Sequence, residues 1–414
     1  MNTTPHTSRV YREVRIDRCL SAVCLVATTS IAIACRDTIE SAVTPVSPTL
    51  NVSVDGGWVV NSLADPGDGE CTNSECTLRE ALAVAQDGDR VTFKGNLSGT
   101  IALMAGELSI DEDVSVVGPG ADVITVNGQN ASRVFHVGPA APASATISGL
   151  TITGGNEPGG VGGGIRVGAG STLAVAGSEV IDNAAIRGAG IHSAGTLAVV
   201  GTTIASNDAT SGGGGIYSNG HLAVNTSTIS GNTSGGAGGA IYAECNQGGF
   251  CGVIVSMRSS TITLNNAVLG GGLYLFSNDA TLRNTIIAGN QTQGDPLAPG
   301  ANCVAGGTIA STGYTLSISG CGTSHPTDVV VPFADLFTLV LEPALAYNGG
   351  GVRTHALIER GLAVDAGSCP GERVDQRVFP RPYDDLSVPN ALDACDIGSF
   401  EWQPAPAKTK GPKP

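Results

Sequence analysis

The sequence predicts an all-β solenoid of stacked parallel coils with a short helix near its N-terminal end. Three observations carry that expectation. A glycine-rich text recurs about every 25 residues, each recurrence holds three short β-branched runs, and one Asn returns at a fixed place in each. A short period with three strands inside it describes one solenoid coil.

The repeat reads roughly S-T-I-x-x-N-x-A-x-x-G-G-G-I-Y-x-x-G-x-L-x-V. Its Gly-Gly-Ile step falls on Ile165, Ile191, Ile216, Ile241 and Leu273, and its Asn on Asn183, Asn207, Asn232, Asn265 and Asn290. Its third strand is expected at Leu173–Val175, Leu197–Val199, Leu222–Val224 and Val253–Val255. Stacked coils place equivalent positions in columns one strand spacing apart, about 4.8 Å. The corner before each Ile must turn sharply, which Gly permits by accepting positive φ. Ile then points inward and its neighbour outward, and the Asn column can bond along the stack as an amide ladder. The coils are expected over residues 99–320. One interval stretches to 32 residues, and Cys245 and Cys251 lie in that insertion.

Upstream, CTLREALAVAQDGD ends at Asp89 and is the one helix signal. Thr77 can cap it with Glu80 three residues on, and Leu78, Ala81, Leu82 and Ala85 share a face. Residues 51–98 are therefore expected as an N-terminal cap. Before them, Arg9, Arg12, Arg15 and Arg18 precede the apolar run Leu20–Ala34, and Cys35 follows. That run is short for a membrane span and suits a signal peptide over residues 1–34. Ala34-Cys35 also reads as a lipobox, so Cys35 is the expected lipid site, with simple secretion the alternative. Residues 35–50 form a polar, proline-bearing tether. Residues 403–414 form a polar tail expected to be disordered.

The formal charge is −15 with no basic stripe, which excludes the clustered Lys and Arg that nucleic acid requires. With Cys19 and Cys24 in the leader and Cys35 lipidated, eight of eleven cysteines remain. They fall in local pairs: Cys71/Cys76, Cys245/Cys251, Cys303/Cys321 and Cys369/Cys395. An even count in an exported chain favours disulfides. Zinc competes, but no CxxC and no His at ligand spacing accompanies the pairs. A monomer without metal or cofactor is expected. DPGDGE (Asp65–Glu70) could wrap calcium, though it lacks the alternating-acid spacing of a dedicated loop.

Several motifs carry a family resemblance. CTLREA resembles the signature of CSLREA-domain proteins, with Thr in place of Ser. GGAIY at Gly238–Tyr242, paired with ISGN at Ile229–Asn232, is similar to polymorphic outer-membrane protein repeats. NGG at 348–350, THAL at 354–357, AVDAG at 363–367, DQR at 375–377, PRP at 380–382 and CDIGSFE at 395–401 resemble the choice-of-anchor Q module, over residues 321–402. Together the resemblance spans about residues 58–402. It implies a right-handed parallel β-helix of the pectin-lyase type on an exported bacterial protein. The family often carries an anchor after the terminal module, where this chain has only QPAPAKTKGPKP, so attachment would fall to Cys35.

That fold hosts lyases and glycosidases as well as adhesins, so it does not by itself decide function. A lyase would want stacked carboxylates for calcium beside a basic group, and a glycosidase two convergent carboxylates. Asp182 and Asp208 flank the ladder Asn in adjacent coils and are the nearest approach to such a pair, very roughly 8 Å apart. The residues following the Ile step are Arg166, His192, Tyr217, Tyr242 and Tyr274. They should form an outward column, either a ladder that braces neighbouring strands or a surface for sugar rings. Asp375, Arg377, Asp396 and Glu401 are expected to close the open C-terminal end by salt bridges. The sequence favours a structural or adhesive protein of the cell surface, with polysaccharide or another cell as partner. The alternative is a polysaccharide lyase or glycoside hydrolase.

Overall fold

The structure, a computed structural model, describes residues 57–244, 254–318, 321–322 and 324–404. The leader, Cys35, the tether, the Cys245/Cys251 pair and the end of the tail lie outside the described residues.

Four parallel sheets run along the solenoid. Sheet 1 has eight strands, from Leu108–Ile110 to Cys303–Ala305. Sheet 2 has ten, from Gly57–Val60 to Ile309–Ser311, and sheet 3 has ten, from Gly99–Ala102 to Val329–Val330. Sheet 4 has six, from Asn156–Val161 to Gln291–Thr292. One coil visits them in turn: Ile191–Ser193, Thr196–Val200, Thr203–Ala205, Asp208–Gly212, then a glycine corner into Ile216. The fourth strand corrects the three-strand expectation. The stretch between the ladder Asn and the glycines also extends and pairs, with a bulge at some of the steps.

The registers reproduce the repeat. Ile165, Ile191, Ile216, Ile241 and Leu273 are successive partners and fully buried. At the corner, Gly213 has φ +62°, and a Cβ there would sit 2.4 Å from the Ile216 carbonyl, so only Gly fits. The Asn column is a continuous ladder. Each Nδ2 donates to the next Oδ1 from Asn183 through Asn207, Asn232, Asn265 and Asn290 at 2.8–2.9 Å. Asn302 extends it at 3.1 Å, an addition the spacing did not announce.

One register differs from expectation. Leu222 pairs with Val255 and Val224 with Met257, two residues beyond the predicted partners. A slip of two preserves strand alternation, so Val255 and Met257 still point into the core.

The helix spans Leu78–Val84 with the Thr77/Glu80 capping box formed. Leu78, Ala81 and Ala85 are buried and Leu82 partly so, in one apolar core with Val60, Val91 and Leu108. Disulfides join Cys71–Cys76, Cys303–Cys321 and Cys369–Cys395.

The terminal module does not simply close the open end. It folds back along the outer face of sheet 3, because that face is chemically prepared for it. Its outward column runs Glu179, Thr203, Thr228, Thr261, Ile286, Leu316. Glu179 pairs with Arg353 at 3.0 Å, Thr228 donates to Gln376 at 2.6 Å, and Thr261 meets Ser399. Ile286 and Leu316 join a second core with Leu336, Val340, Ile397 and Phe400. The expected ionic residues are buried inside the module. Asp375 pairs with Arg377 at 2.6 Å, and Glu401 with Arg381 at 2.7 Å.

Candidate functional site

The outward column of sheet 1 concentrates the reactive side chains. Its register runs Ser109, His136, Arg166, His192, Tyr217, Tyr242, Tyr274. Because Ile and its second neighbour fill the core, the residue between them must face out. Four rings stack: His192–Tyr217 at 5.1 Å, Tyr217–Tyr242 at 4.9 Å and Tyr242–Tyr274 at 5.1 Å, the first two pairs inclined by only 7°. The one-coil strand spacing sets these distances.

Outward does not mean exposed. Tyr217 is only 2% exposed and His192 9%. For Tyr217 and His192 this is the ladder of the two sequence alternatives, not an open surface. Sheet 4 ends against them: a Cβ on Gly212 would lie 3.4 Å from the Tyr242 ring and 3.7 Å from that of Tyr217. The Arg187 guanidinium covers Tyr217, 5.5 Å from the ring centre. Tyr242 and Tyr274 are half-buried, and Phe276, just past the column, is 56% exposed.

The hydroxyls are committed. Tyr217 donates to one oxygen of Glu244 and Tyr242 to the other at 3.2 Å. Burial, then the Glu244 charge, push the Tyr242 phenol up to about 12. Burial and the Glu244 bond push Tyr217 upward too, so neither is poised as a base near neutrality. Burial, then the charges of Arg166 and Arg187, press His192 down to about 4, and its Nδ1 has no partner. It is a neutral member of the stack.

At the other end of the column the chemistry is ionic. His136 Nδ1 lies 3.1 Å from Glu107 Oε1, Arg133 grips the other Glu107 oxygen, and Glu157 stands 3.7 Å from Arg133. These residues escaped the sequence reading because Phe135-His136-Val137 belongs to the same register but lacks the glycine corner that marks later coils. Glu244 reads in the sequence as a carboxylate in a register of its own, since its position in neighbouring coils holds Asn219 and Phe276. A repeat search sees only what recurs.

The structure places Asp182 and Asp208 on different elements. Asp182 occupies a positive-φ turn at the end of sheet 3, where its charge acts on Arg353. Asp208 opens sheet 4 opposite Ala184 and Thr233, and accepts from the Thr233 hydroxyl at 2.7 Å. Both are exposed. In the DPGDGE loop, Asp65 is taken by Arg79 at 2.6 Å. Among the described residues a cluster of metal-ligating type is Cys369, Asp393 and Cys395, whose two thiols are already joined as a disulfide.

Fold and site together define a parallel β-solenoid carrying a stacked aromatic and ionic column on one sheet. No family model matches the chain, and no curated protein matches it. A solved structure similar to it is that of pectate lyase Pel9A, at 13% identity, covering 84% of this chain and 96% of that one, with a TM-score of 0.43. Likeness at that level transfers no residue roles.

Proposed function

We propose that this protein is an exported, monomeric β-solenoid of the cell surface or extracellular space with a structural and adhesive role. The open end of its ring column would contact polysaccharide. What carries the reading is the continuous stack from His192 to Tyr274. Its buried rings brace the coils, while Tyr242, Tyr274 and the exposed Phe276 offer aromatic faces of the kind that pack on sugars. Commitment of both hydroxyls to Glu244 favours binding over proton transfer there.

Retention follows from Cys35 in this reading. A fatty-acid probe should tag the protein and Cys35→Ala should abolish the tag; an untagged, freely released protein removes the lipid anchor. The adhesive role is tested on immobilised polysaccharides, where Tyr274→Ala should weaken retention at least tenfold without lowering Tm appreciably. The same polysaccharides are then assayed for new reducing or unsaturated ends. Product release would replace adhesion with a lyase or glycoside hydrolase.

A further inference from the structure

We propose that Ser109, His136 and Glu107 form a separate hydrolytic site that cleaves small, neutral carboxylic esters. Leu108 and Ile110 are buried, so Ser109 between them faces outward, and Phe135 and Val137 fix His136 on the same side. The parallel register sets Ser109 and His136 directly side by side, about one strand spacing of 4.8 Å apart. Glu107 lies two residues before Ser109 and therefore on the same face.

These three residue types take three distinct roles. The hydrogen bond from His136, with the Arg133 charge behind it, holds the Glu107 carboxyl below its ordinary range despite partial burial. An ionised carboxylate only accepts, so in neutral His136 the proton resides on Nδ1 and Nε2 keeps its lone pair. Ser109 is exposed, and no described residue holds its hydroxyl. A nucleophile beside a base that a third group orients is the arrangement of acyl-transfer sites. Ser109 and Glu107 border a cleft of ≈ 350 Å³ under the helix, lined also by Arg79, Leu82 and Gln86, while His136 stands on the neighbouring strand outside that lining. Asp111 and Glu112 share that wall and repel an anionic ester, which leaves a neutral, short-chain one. Four of the five Arg79 N–H groups already donate to Asp65, Gly106 and Glu107, so Arg79 contributes a fixed positive charge to the wall.

The step balances with water alone. His136 Nε2 takes the Ser109 proton as Oγ bonds to the ester carbonyl carbon. The C–OR bond then breaks, and His136 returns the proton to the departing alcohol. Water attacks the acyl-serine, passing a proton through His136 to Ser109 Oγ as the C–Oγ bond breaks, and the carboxylic acid leaves. Ser109 and His136 are catalytic, and Glu107 is a positioning residue.

The test treats the purified protein with a fluorescent fluorophosphonate and assays p-nitrophenyl acetate. Labelling should map to Ser109. Ser109→Ala should lower labelling and turnover at least 100-fold with Tm unchanged, since the side chain is exposed. His136→Gln should lower turnover about 10²–10⁴-fold. The groups facing His136 are Glu107, Arg133, with Glu157 behind it, and Arg166. Glu107→Gln should therefore slow turnover, because the group that orients the His136 ring no longer fixes its tautomer. Glu107→Asp should restore part of the rate. Absence of labelling, or labelling that survives Ser109→Ala, overturns the site. Turnover in Glu107→Asp no better than in Glu107→Gln overturns the positioning role.

Discussion

The outer faces of sheets 1 and 3 start from the same design and end differently. Each presents one outward residue per coil. On sheet 1 that residue meets its own counterpart in the next coil, as when Tyr217 stacks on Tyr242. On sheet 3 it meets the terminal module, with Thr228 reaching Gln376 across 148 residues of chain and Thr261 reaching Ser399 across 138. Self-stacking requires a repeated side chain, whereas docking requires complementarity to something that does not repeat. The covered face accordingly changes from Glu and Thr to Ile and Leu along its length, following what lies above it.

The largest effect should come from the module that covers sheet 3. Arg381 is fully buried, bonds Glu401 at 2.7 Å and donates to the carbonyls of Asp396 and Gly398 at 2.9 and 2.8 Å. Burial already pushes the Asp396 and Glu401 carboxyls upward. Arg381→Met removes the compensating charge and should destabilise by about 3–5 kcal/mol in denaturant unfolding. Loss of the module with an unchanged coil transition would show the two faces to be energetically independent. A single displaced transition would show that docking and coils unfold together.

On sheet 1 the burial of Tyr217 sharpens the contrast between core and ladder. Ile241→Ala should cost about 2–5 kcal/mol through a core cavity. At 2% exposure, Tyr217→Ala should fall in the same range, although its position is formally outside the solenoid. Differential scanning calorimetry on both variants compares them directly. A loss under about 1 kcal/mol for Tyr217 would mean the Gly212 wall yields and the ring is not a structural element.

The covered face should also respond to acid through His355. Its Nδ1 donates to the Glu342 carbonyl at 2.9 Å, and its Nε2 lies 2.8 Å from Ser230 Oγ, from which the neutral ring accepts. Burial presses its pKa down to about 4. A lowered histidine contributes stability that is whole above about 6.5 and is lost as pH falls through 4, ~3 kcal/mol in all. Asp365 acts in the opposite sense. Burial raises it to about 6, so its contribution is present below about 4 and fades as pH rises through 6. The comparison that isolates the histidine is wild type against His355→Gln over pH 4–7, where the variant should lose less stability on acidification. Parallel curves would remove His355 as the acid-sensitive contact.

Legibility in the sequence follows the same division. The glycine corners, the Asn ladder and the inward Ile column were readable because each repeats and each has a local cause. The Val255 register was misread by two residues because alternation alone cannot distinguish a slip of two. The module's docking was not readable, since Arg353, His355 and Gln376 act on coils more than a hundred residues away. Burial of Tyr217 was hidden for a related reason: it depends on the missing side chain of Gly212 in a different sheet. Glu244 and the Glu107–His136 pair each occur once and leave no periodic trace.

The smallest effect tests how firmly the ladder is tied to its acceptor. Tyr242→Phe keeps the ring between Tyr217 and Tyr274 and removes only the 3.2 Å bond to Glu244. One bond to a charged, half-buried acceptor is worth about 1–2 kcal/mol, and the remaining Tyr217 bond still holds the carboxylate. A loss of about 1 kcal/mol is therefore expected, with polysaccharide retention intact because the aromatic face is unchanged. Glu244→Gln keeps an acceptor but removes the charge that raises the phenols, so the Tyr242 titration followed at 295 nm should begin below its present value of about 12. If Tyr242→Phe abolished retention while Tyr274→Ala did not, the hydroxyl and Glu244 would be the binding element. The ring column would then resemble the covered face of sheet 3, a surface that works through one specific partner and not through repetition.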